Sequence, residues 1–319
     1  MRLRFAVLPR GLLISMLALL ALAFVAGSPS GPPVAAERLA DPIRQGPARP
    51  VQPTPIPLGP YDTLSTGGNP NVDYGFTMAY RERIPNLVAD HFQWAEFEID
   101  WGTSEPSRGN YNWANVDNIT NTAAGLEIGI IFRVDQSPAW ANGRGTNGWY
   151  PPTNPNDYAN FIQALAAHVS GRLRYAPAYE IWNEPNISDN WGGACPSAAA
   201  YTAMVRAAYP AVKRGDPYSP VLVGSVTTVG ALPPEARPNT CAVDDLAFLD
   251  QMYNAGALGF FDAISVHPYG FGDAPEANPR QLGRTLVFRR AELQREVMLA
   301  HGDAAHHMWI TETGWAIDP

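Results

Sequence analysis

Short apolar runs alternate with amphipathic stretches from about residue 61 onwards, and this alternation is the strongest constraint on the fold. Seven runs have the length of strands: 74–79, 92–101, 126–134, 178–182, 220–225, 261–266 and 308–311. Between them lie predicted helices over 157–169, which places Asp157 at the N-cap, 196–214 and 282–301. The alternation predicts parallel strands joined by crossover helices.

Two architectures satisfy this pattern, a doubly wound open sheet and a closed barrel. No G-x-G-x-x-G follows a strand and no G-x-x-x-x-G-K-[ST] occurs, so the nucleotide-binding folds lose support. A length of 319 residues suits one TIM (β/α)₈ barrel of roughly 250 residues with a leader. Because only seven strands are found, we expect an α/β barrel truncated after strand seven.

The composition narrows the class of ligand. Twenty-two basic and 30 acidic residues give a net charge of −8, and the absence of a basic stripe argues against a nucleic-acid partner. Nine tryptophans and 13 tyrosines in a loop-rich, acidic chain fit carbohydrate ligands better than charged ones. Two cysteines are too few for a Cys₄ zinc site or an iron–sulfur cluster.

The first 60 residues have the pattern of an exported protein. Arg2, Arg4 and Arg10 flank an apolar run over 12–26, which is typical of a signal peptide, with an uncleaved membrane anchor as the alternative. Residues 28–60 are rich in proline and predict an extended linker. We therefore divide the chain into a leader or anchor (1–27), a linker (28–60) and a barrel (61–319), and expect it to be secreted or membrane-anchored, outside the cytoplasm.

Two predicted strands end in a glutamate. Glu184 follows the strand of Tyr-Glu-Ile-Trp-Asn-Glu-Pro-Asn, and Glu312 follows that of Trp-Ile-Thr-Glu-Thr-Gly-Trp. A third strand ends in His267 and Tyr269. Since the carboxyl ends of parallel barrel strands meet at one mouth, the two glutamates can face each other there. Such a pair is what glycoside hydrolysis requires, one carboxyl as acid and the other as nucleophile.

These segments together resemble the glycoside hydrolase clan A, near families 39 and 5. The stretch from Trp101 to Trp113 is similar to the strand-two loop of those families, and Pro138-Ala139-Trp140 is similar to their strand-three end. The resemblance covers about residues 74–315. It implies a (β/α)₈ barrel with the acid/base on strand four and the nucleophile on strand seven.

The resemblance also implies roles for single residues. Glu184 would be the acid/base and Glu312 the nucleophile, while Asn183 would bind the sugar 2-hydroxyl. Tyr269 would hold the nucleophile, and His267 would line the pocket or serve as a hydrogen-bonded barrel histidine. Apolar faces for sugar rings would come from three tryptophans: Trp182, Trp315 and Trp140.

One position departs from the clan. Where clan members often carry a basic residue on strand two, this chain has Glu96, which shares a face with Glu98 and Asp100. A site this acidic needs a cation, and we expect Arg133 to supply it within salt-bridge reach of Glu96 or Glu98 while lining the substrate pocket. Glu180 is interpreted as a buried polar partner inside the barrel.

Cys195 and Cys241 follow neighbouring strands, so they form either a disulfide that braces the rim or two free buried thiols. The complete interpretation is an exported, retaining glycoside hydrolase that cleaves a β-linked polysaccharide or oligosaccharide by double displacement. No metal or organic cofactor is expected, because two carboxylates and water complete the reaction. The alternatives are a catalytically silent carbohydrate-binding barrel and a transglycosidase. The sequence does not indicate an oligomeric state.

Overall fold

A computed structural model describes residues 72–74, 84–89, 92–230, 241–281 and 286–315. The predicted leader and linker lie outside these residues. Seven strands form one sheet: β1 (Val72–Tyr74), β2 (Trp94–Asp100), β3 (Gly129–Asp135), β4 (Ala178–Ile181), β5 (Val221–Thr227), β6 (Ala263–His267) and β7 (His307–Ile310). All of their pairings are parallel, in the order β1-β7-β6-β5-β4-β3-β2.

Helices connect the strands, as the alternation predicts. They are α1 (Ile84–Ala89), α2 (Trp101–Ser104), α3 (Ala114–Ala123), α4 (Ala139–Asn142), α5 (Pro155–Val169), α6 (Ala198–Gly215), α7 (Asp245–Asn254) and α8 (Arg290–Ala300). Among the described residues, none of these helices combines the length and apolar character that a bilayer span requires.

Some boundaries differ from the expectation. The N-cap of α5 is Asn154, whose side chain accepts from the Asn156 N–H, because the helix starts with Pro155 rather than at Asp157. Asp157 lies one turn inside and binds Arg108 instead. The helix predicted over 282–301 begins only at Arg290 in the described residues, and β1 overlaps its predicted strand only at Tyr74.

The sheet curls around an interior. Its outer face packs on the helices through an extended apolar cluster that includes Ile99, Phe132 and Val223. Its inner face carries a smaller apolar cluster at the amino end of the strands, formed by Ile131, Ala178, Leu222 and Ala263 with Trp94 and Trp309 packed against them. The rings of Trp94 on β2 and Trp309 on β7 lie 4.8 Å apart, so the interior is closed at this end.

Candidate active site

The backbone is strained at the carboxyl ends of the strands. Non-glycine residues with positive φ in the described chain are Gln136, Trp182, Glu184, Ser225 and Phe271, at or just beyond the ends of β3 to β6 or at a bulge in β5. Trp182 has a φ of 68° and Glu184 a φ of 39°. Such conformations cost energy and concentrate where a side chain must be aimed, so they mark this edge of the sheet as functional.

Glu184 and Glu312 face each other at this edge. Glu184 lies three residues past the end of β4 and Glu312 two residues past the end of β7. A carboxylate oxygen of each, together with a ring nitrogen of His267, lies within 4.8 Å of the others. A carboxyl separation of about 5 Å is characteristic of retaining glycosidases, whereas inverting enzymes need roughly 6.5–9.5 Å. The oxygen spacing of this pair is closer to the shorter of these two separations.

Glu312 is held by two donors, one on each oxygen. Arg133 Nη1 donates to Oε1 at 2.5 Å, and the Tyr269 hydroxyl donates to Oε2 at 2.6 Å. A bond to each oxygen fixes the plane of the carboxylate, and charge-assisted bonds are the stronger kind. Tyr269 therefore occupies the place that the resemblance implies for it.

Arg133 is the cation that the acidic face requires. Its guanidinium also binds Glu96 at 3.1 Å and Glu98 at 3.3 Å, which confirms the predicted salt bridge, and it binds Asp135 at 3.1 Å as well. Arg133 is only 4% exposed and its donors are engaged with carboxylates, so the predicted contact with substrate stays a prediction that this arrangement does not favour. It positions Glu312 from inside the barrel.

Burial decides the charge of the remaining interior acids. It raises the pKa of Glu96 well above the usual range, and nearby Glu180 adds to this effect against the pull of Arg133. Burial likewise raises the pKa of Asp135, although Arg133 opposes it. The interior thus balances the Arg133 charge with fewer ionised carboxylates than the sequence alone suggests.

His267, the last residue of β6, is fully buried beneath the two glutamates. Its Nδ1 lies 3.3 Å from Glu184 Oε1 and 3.8 Å from Glu312 Oε2, and its Nε2 lies 3.1 Å from the Thr311 hydroxyl. Burial opposes a charge on the ring, but Glu312, Glu180 and Glu184 outweigh it and raise the pKa of His267 well above the usual range.

The burial of His267 favours the second of its two interpretations. Its side chain is 0% exposed, as a hydrogen-bonded barrel histidine would be, and its contact with substrate stays a prediction. The group of Glu184, His267 and Glu312 is as compact as a metal site. A histidine ligand must offer a deprotonated nitrogen, so a metal ion would have to displace the proton that the surrounding carboxylates favour on this ring.

The pKa of Glu184 is held below the usual value. Burial acts to raise it, but the hydrogen bond and charge of His267 lower it further than burial raises it. Asn190, on the short 3₁₀ turn Ser188–Asn190, donates to Oε2 of Glu184 at 3.2 Å. Sequence reasoning missed Asn190, because a loop residue carries no periodic signal and meets Glu184 only when the loop folds back.

That loop is tied down on its far side. The structure joins Cys195 to Cys241 by a disulfide, the first of the two alternatives. Next to it the Ser188 N–H donates to the Cys241 carbonyl at 2.8 Å, and the Val243 N–H donates to the Asn186 carbonyl at 2.9 Å. The disulfide therefore braces the segment that carries Glu184.

The three candidate tryptophans behave differently. Trp182 is 0% exposed and its indole N–H donates to the Asn190 carbonyl, an arrangement that does not favour its predicted role as a sugar platform. Trp140 has Arg108 over its ring at 4.4 Å and donates to the Glu105 carbonyl, so this chain already occupies one of its faces. Trp315 is 40% exposed.

Trp315 and Phe271 form an exposed aromatic rim beside the carboxylates. They share a backbone bridge, and Phe271 is 45% exposed. Trp315 lies directly over Gly270, where an added Cβ would meet its Nε1 at 2.0 Å, so only glycine permits this approach. Asn183 precedes Glu184; its Oδ1 is buried and has no hydrogen-bond partner among the described residues.

Two glycoside hydrolases are among the solved structures that are similar to this chain. A family 39 glycoside hydrolase from the gut symbiont Bacteroides cellulosilyticus WH2 is 19% identical, with a TM-score of 0.56, over 76% of this chain and 49% of its own. A family 39 β-xylosidase from Caulobacter crescentus is 18% identical, with a TM-score of 0.52, over 79% of this chain and 55% of its own.

The chain thus spans about half the length of these two proteins. It shares their parallel α/β barrel fold, as the sequence predicted. No protein-family model and no curated protein sequence matches it.

Proposed function

We propose that this protein is an exported, retaining glycoside hydrolase that cleaves a β-linked glycan by double displacement. The observation that carries the proposal is the Glu184–Glu312 pair, within 4.8 Å at the barrel mouth, with both oxygens of Glu312 held by donors. Two carboxyls at this spacing are the minimal machinery for the reaction.

In the first step Glu312 attacks the anomeric carbon while the Glu184 carboxyl donates a proton to the leaving oxygen. The bond to the leaving group breaks, and a glycosyl ester forms on Glu312. In the second step Glu184 takes a proton from water, which attacks the same carbon and releases Glu312. Arg133 and Tyr269 fix the attacking carboxylate, so the reaction needs little reorganisation around it.

The mouth offers two further contacts for a sugar. The unpartnered Oδ1 of Asn183 would accept from a ring hydroxyl near the point of cleavage. The exposed rim of Trp315 and Phe271 offers apolar faces on which the ring C–H groups would pack. Neutral sugars fit this surface, since the acidic groups lie close by.

A panel of aryl β-glycosides, including β-glucosides, tests the proposal, beginning with β-xylosides because one of the similar solved structures is a β-xylosidase. We expect hydrolysis in which the first sugar released keeps its β configuration in ¹H NMR. Glu184→Gln should lower turnover of a poor leaving group by about 10²–10⁴-fold. Glu127→Gln, at an exposed glutamate just before β3 and so at the amino ends of the strands, is the control and should leave the rate unchanged.

The other outcomes separate the alternatives. Binding of glycans without turnover of any aryl glycoside would indicate a silent carbohydrate-binding barrel. Products longer than the substrate, formed faster than free sugar when an acceptor glycan is present, would indicate a transglycosidase. First release of the α anomer would contradict the retaining mechanism.

A further inference from the structure

A buried carboxylate that the proposed reaction does not use lies directly below the site. Glu180, on β4, is wholly buried four residues before Glu184. Its Oε1 accepts from the Ser225 hydroxyl at 2.5 Å and from the Thr311 hydroxyl at 3.1 Å, and it lies 3.5 Å from Nε2 of His267. Glu180 is too deeply buried to contact a substrate, but it lies beside His267, the residue between the two glutamates.

The direction of these hydrogen bonds fixes one proton on His267. An ionised carboxylate only accepts, so the single hydrogen of the Thr311 hydroxyl points to Glu180. The Thr311 oxygen is then left to accept from Nε2 of His267, at 3.1 Å. Nε2 therefore carries a proton whatever the state of the rest of the ring.

The second ring nitrogen faces the site. Nδ1 lies 3.3 Å from Glu184 Oε1, and a proton between them belongs either to a cationic ring or to a neutral Glu184 carboxyl. Two groups that interact this closely titrate as a pair, so the proton is a property of both. The pairing explains how Glu184 can act as an acid although its own pKa is held low, because the proton that it delivers resides on His267.

We propose that Glu180 is a positioning residue that keeps the Nε2 proton on His267, and so makes the Nδ1–Glu184 pair the proton donor to the leaving oxygen. This inference rests on the proposed function and deepens it. The other charged or titratable groups around the ring are Glu312 after β7, Arg133 on β3 and Glu96 on β2.

The sign of the effect follows from charge. The negative charge of Glu180 favours the protonated pair, and its removal makes the pair lose its proton at lower pH. Glu180→Gln keeps the volume of the side chain and removes the charge. We expect the basic limb of the kcat/KM profile to move to lower pH by about 1–3 pH units.

Three companion variants separate this role from a structural one. Glu180→Asp retains the charge and should restore much of the wild-type limb. Thr311→Val keeps the shape but removes the hydroxyl, and should move the limb in the same direction by less. Asp216→Asn, at another buried acid near the end of α6, should leave both limbs in place. An unchanged basic limb in folded Glu180→Gln would overturn the proposal.

A second measurement does not depend on turnover. The ¹⁵N shifts of the His267 ring, assigned by difference with His267→Gln, should show a cation at neutral pH in the wild type and a neutral ring in Glu180→Gln. If no glycoside is hydrolysed, the proposed function fails while this titration still tests Glu180. A His267 ring that is neutral in the wild type, or unchanged in Glu180→Gln, would overturn the inference. Should Glu180→Gln not fold, Thr311→Val carries both tests.

Discussion

The two faces of the sheet have different roles in this protein. On β3 the side chains of Phe132 and Val134 point to the helices and belong to the apolar shell, while Arg133 and Asp135 point inward to the charged interior. The alternation of a strand places these opposite environments one residue apart. The residues that stabilise the fold and those proposed for chemistry therefore lie on opposite faces of the sheet, not in different parts of the chain.

The inner face is itself divided along the strands. Its amino end is closed by the apolar cluster around Ile131, Leu222 and the Trp94–Trp309 pair, and its carboxyl end carries the ionisable groups. The apolar floor keeps water away from the charges above it, so their interactions are stronger than they would be in solvent. This is why His267 can hold a charge although burial opposes it.

If the inner face serves chemistry, its central cation should matter most for turnover. Arg133→Met removes one of the two donors to Glu312 and leaves buried acids without their partner. We expect kcat/KM to fall by about 10²–10³-fold and the free energy of unfolding to fall by about 3–5 kcal/mol. Retention of wild-type turnover in Arg133→Met would contradict the assignment of chemistry to the inner face.

The matched change on the outer face should lower stability by a similar amount but leave turnover nearly unchanged. Phe132→Ala, one residue away, leaves a cavity between the sheet and the helices. It should cost about 3–5 kcal/mol in urea denaturation while kcat/KM, measured well below the unfolding transition, stays within about twofold of wild type. A large loss of turnover in the folded variant would show that the two faces are not separable.

The disulfide provides an intermediate case, because it lies on neither face of the sheet but braces the loop that carries Glu184. Replacing both cysteines by serine should lower the unfolding free energy by roughly 3–4 kcal/mol, given the sequence separation of 46 residues. Because Asn190 and Asn186 hold this loop from other sides, turnover should fall less than in Arg133→Met. Equal losses of turnover in the two variants would contradict this ranking.

The smallest effect expected is on the pH dependence of stability. A raised pKa for His267 stabilises the fold below about pH 6.5, the ordinary value, and this contribution is lost as pH rises through the folded value. A lowered pKa for Glu184 stabilises the fold above its ordinary value of 4.5, and this contribution is lost as pH falls through the folded value. The urea midpoints of wild type and His267→Gln should therefore differ most between the two ordinary values, 4.5 and about 6.5. A constant difference across pH would contradict the coupled pair.

The sequence predicted the strands and the carboxylate pair because both follow local rules. Strand periodicity and the Asn-Glu-Pro stop placed Glu184 and Glu312 at strand ends without any knowledge of packing. It did not predict that Trp182 would be buried, since a tryptophan just past a strand end looks the same in sequence whether it faces a sugar or the core. Nor could it show that Asn190 reaches Glu184, because that contact depends on how a loop folds back.

The seven strands were predicted from the sequence, but their neighbours in the sheet were not. The adjacency of β1 and β7 and the meeting of Trp94 with Trp309 depend on contacts between residues that are more than 200 positions apart. The role of Arg133 lies between these cases. Alternation placed it on the acidic face, yet only the fold shows that its guanidinium reaches Glu312 and that the residue is only 4% exposed.

Covalent trapping of the proposed nucleophile tests the account most directly. An activated 2-deoxy-2-fluoro β-glycoside, chosen from the panel of hydrolysed sugars, should form an adduct that mass spectrometry of the digested protein assigns to the peptide containing Glu312. Glu312→Gln should form no adduct, and Glu184→Gln should still form one with a leaving group that needs no proton. Turnover of that substrate with no adduct, or an adduct on Glu184 in place of Glu312, would contradict the account.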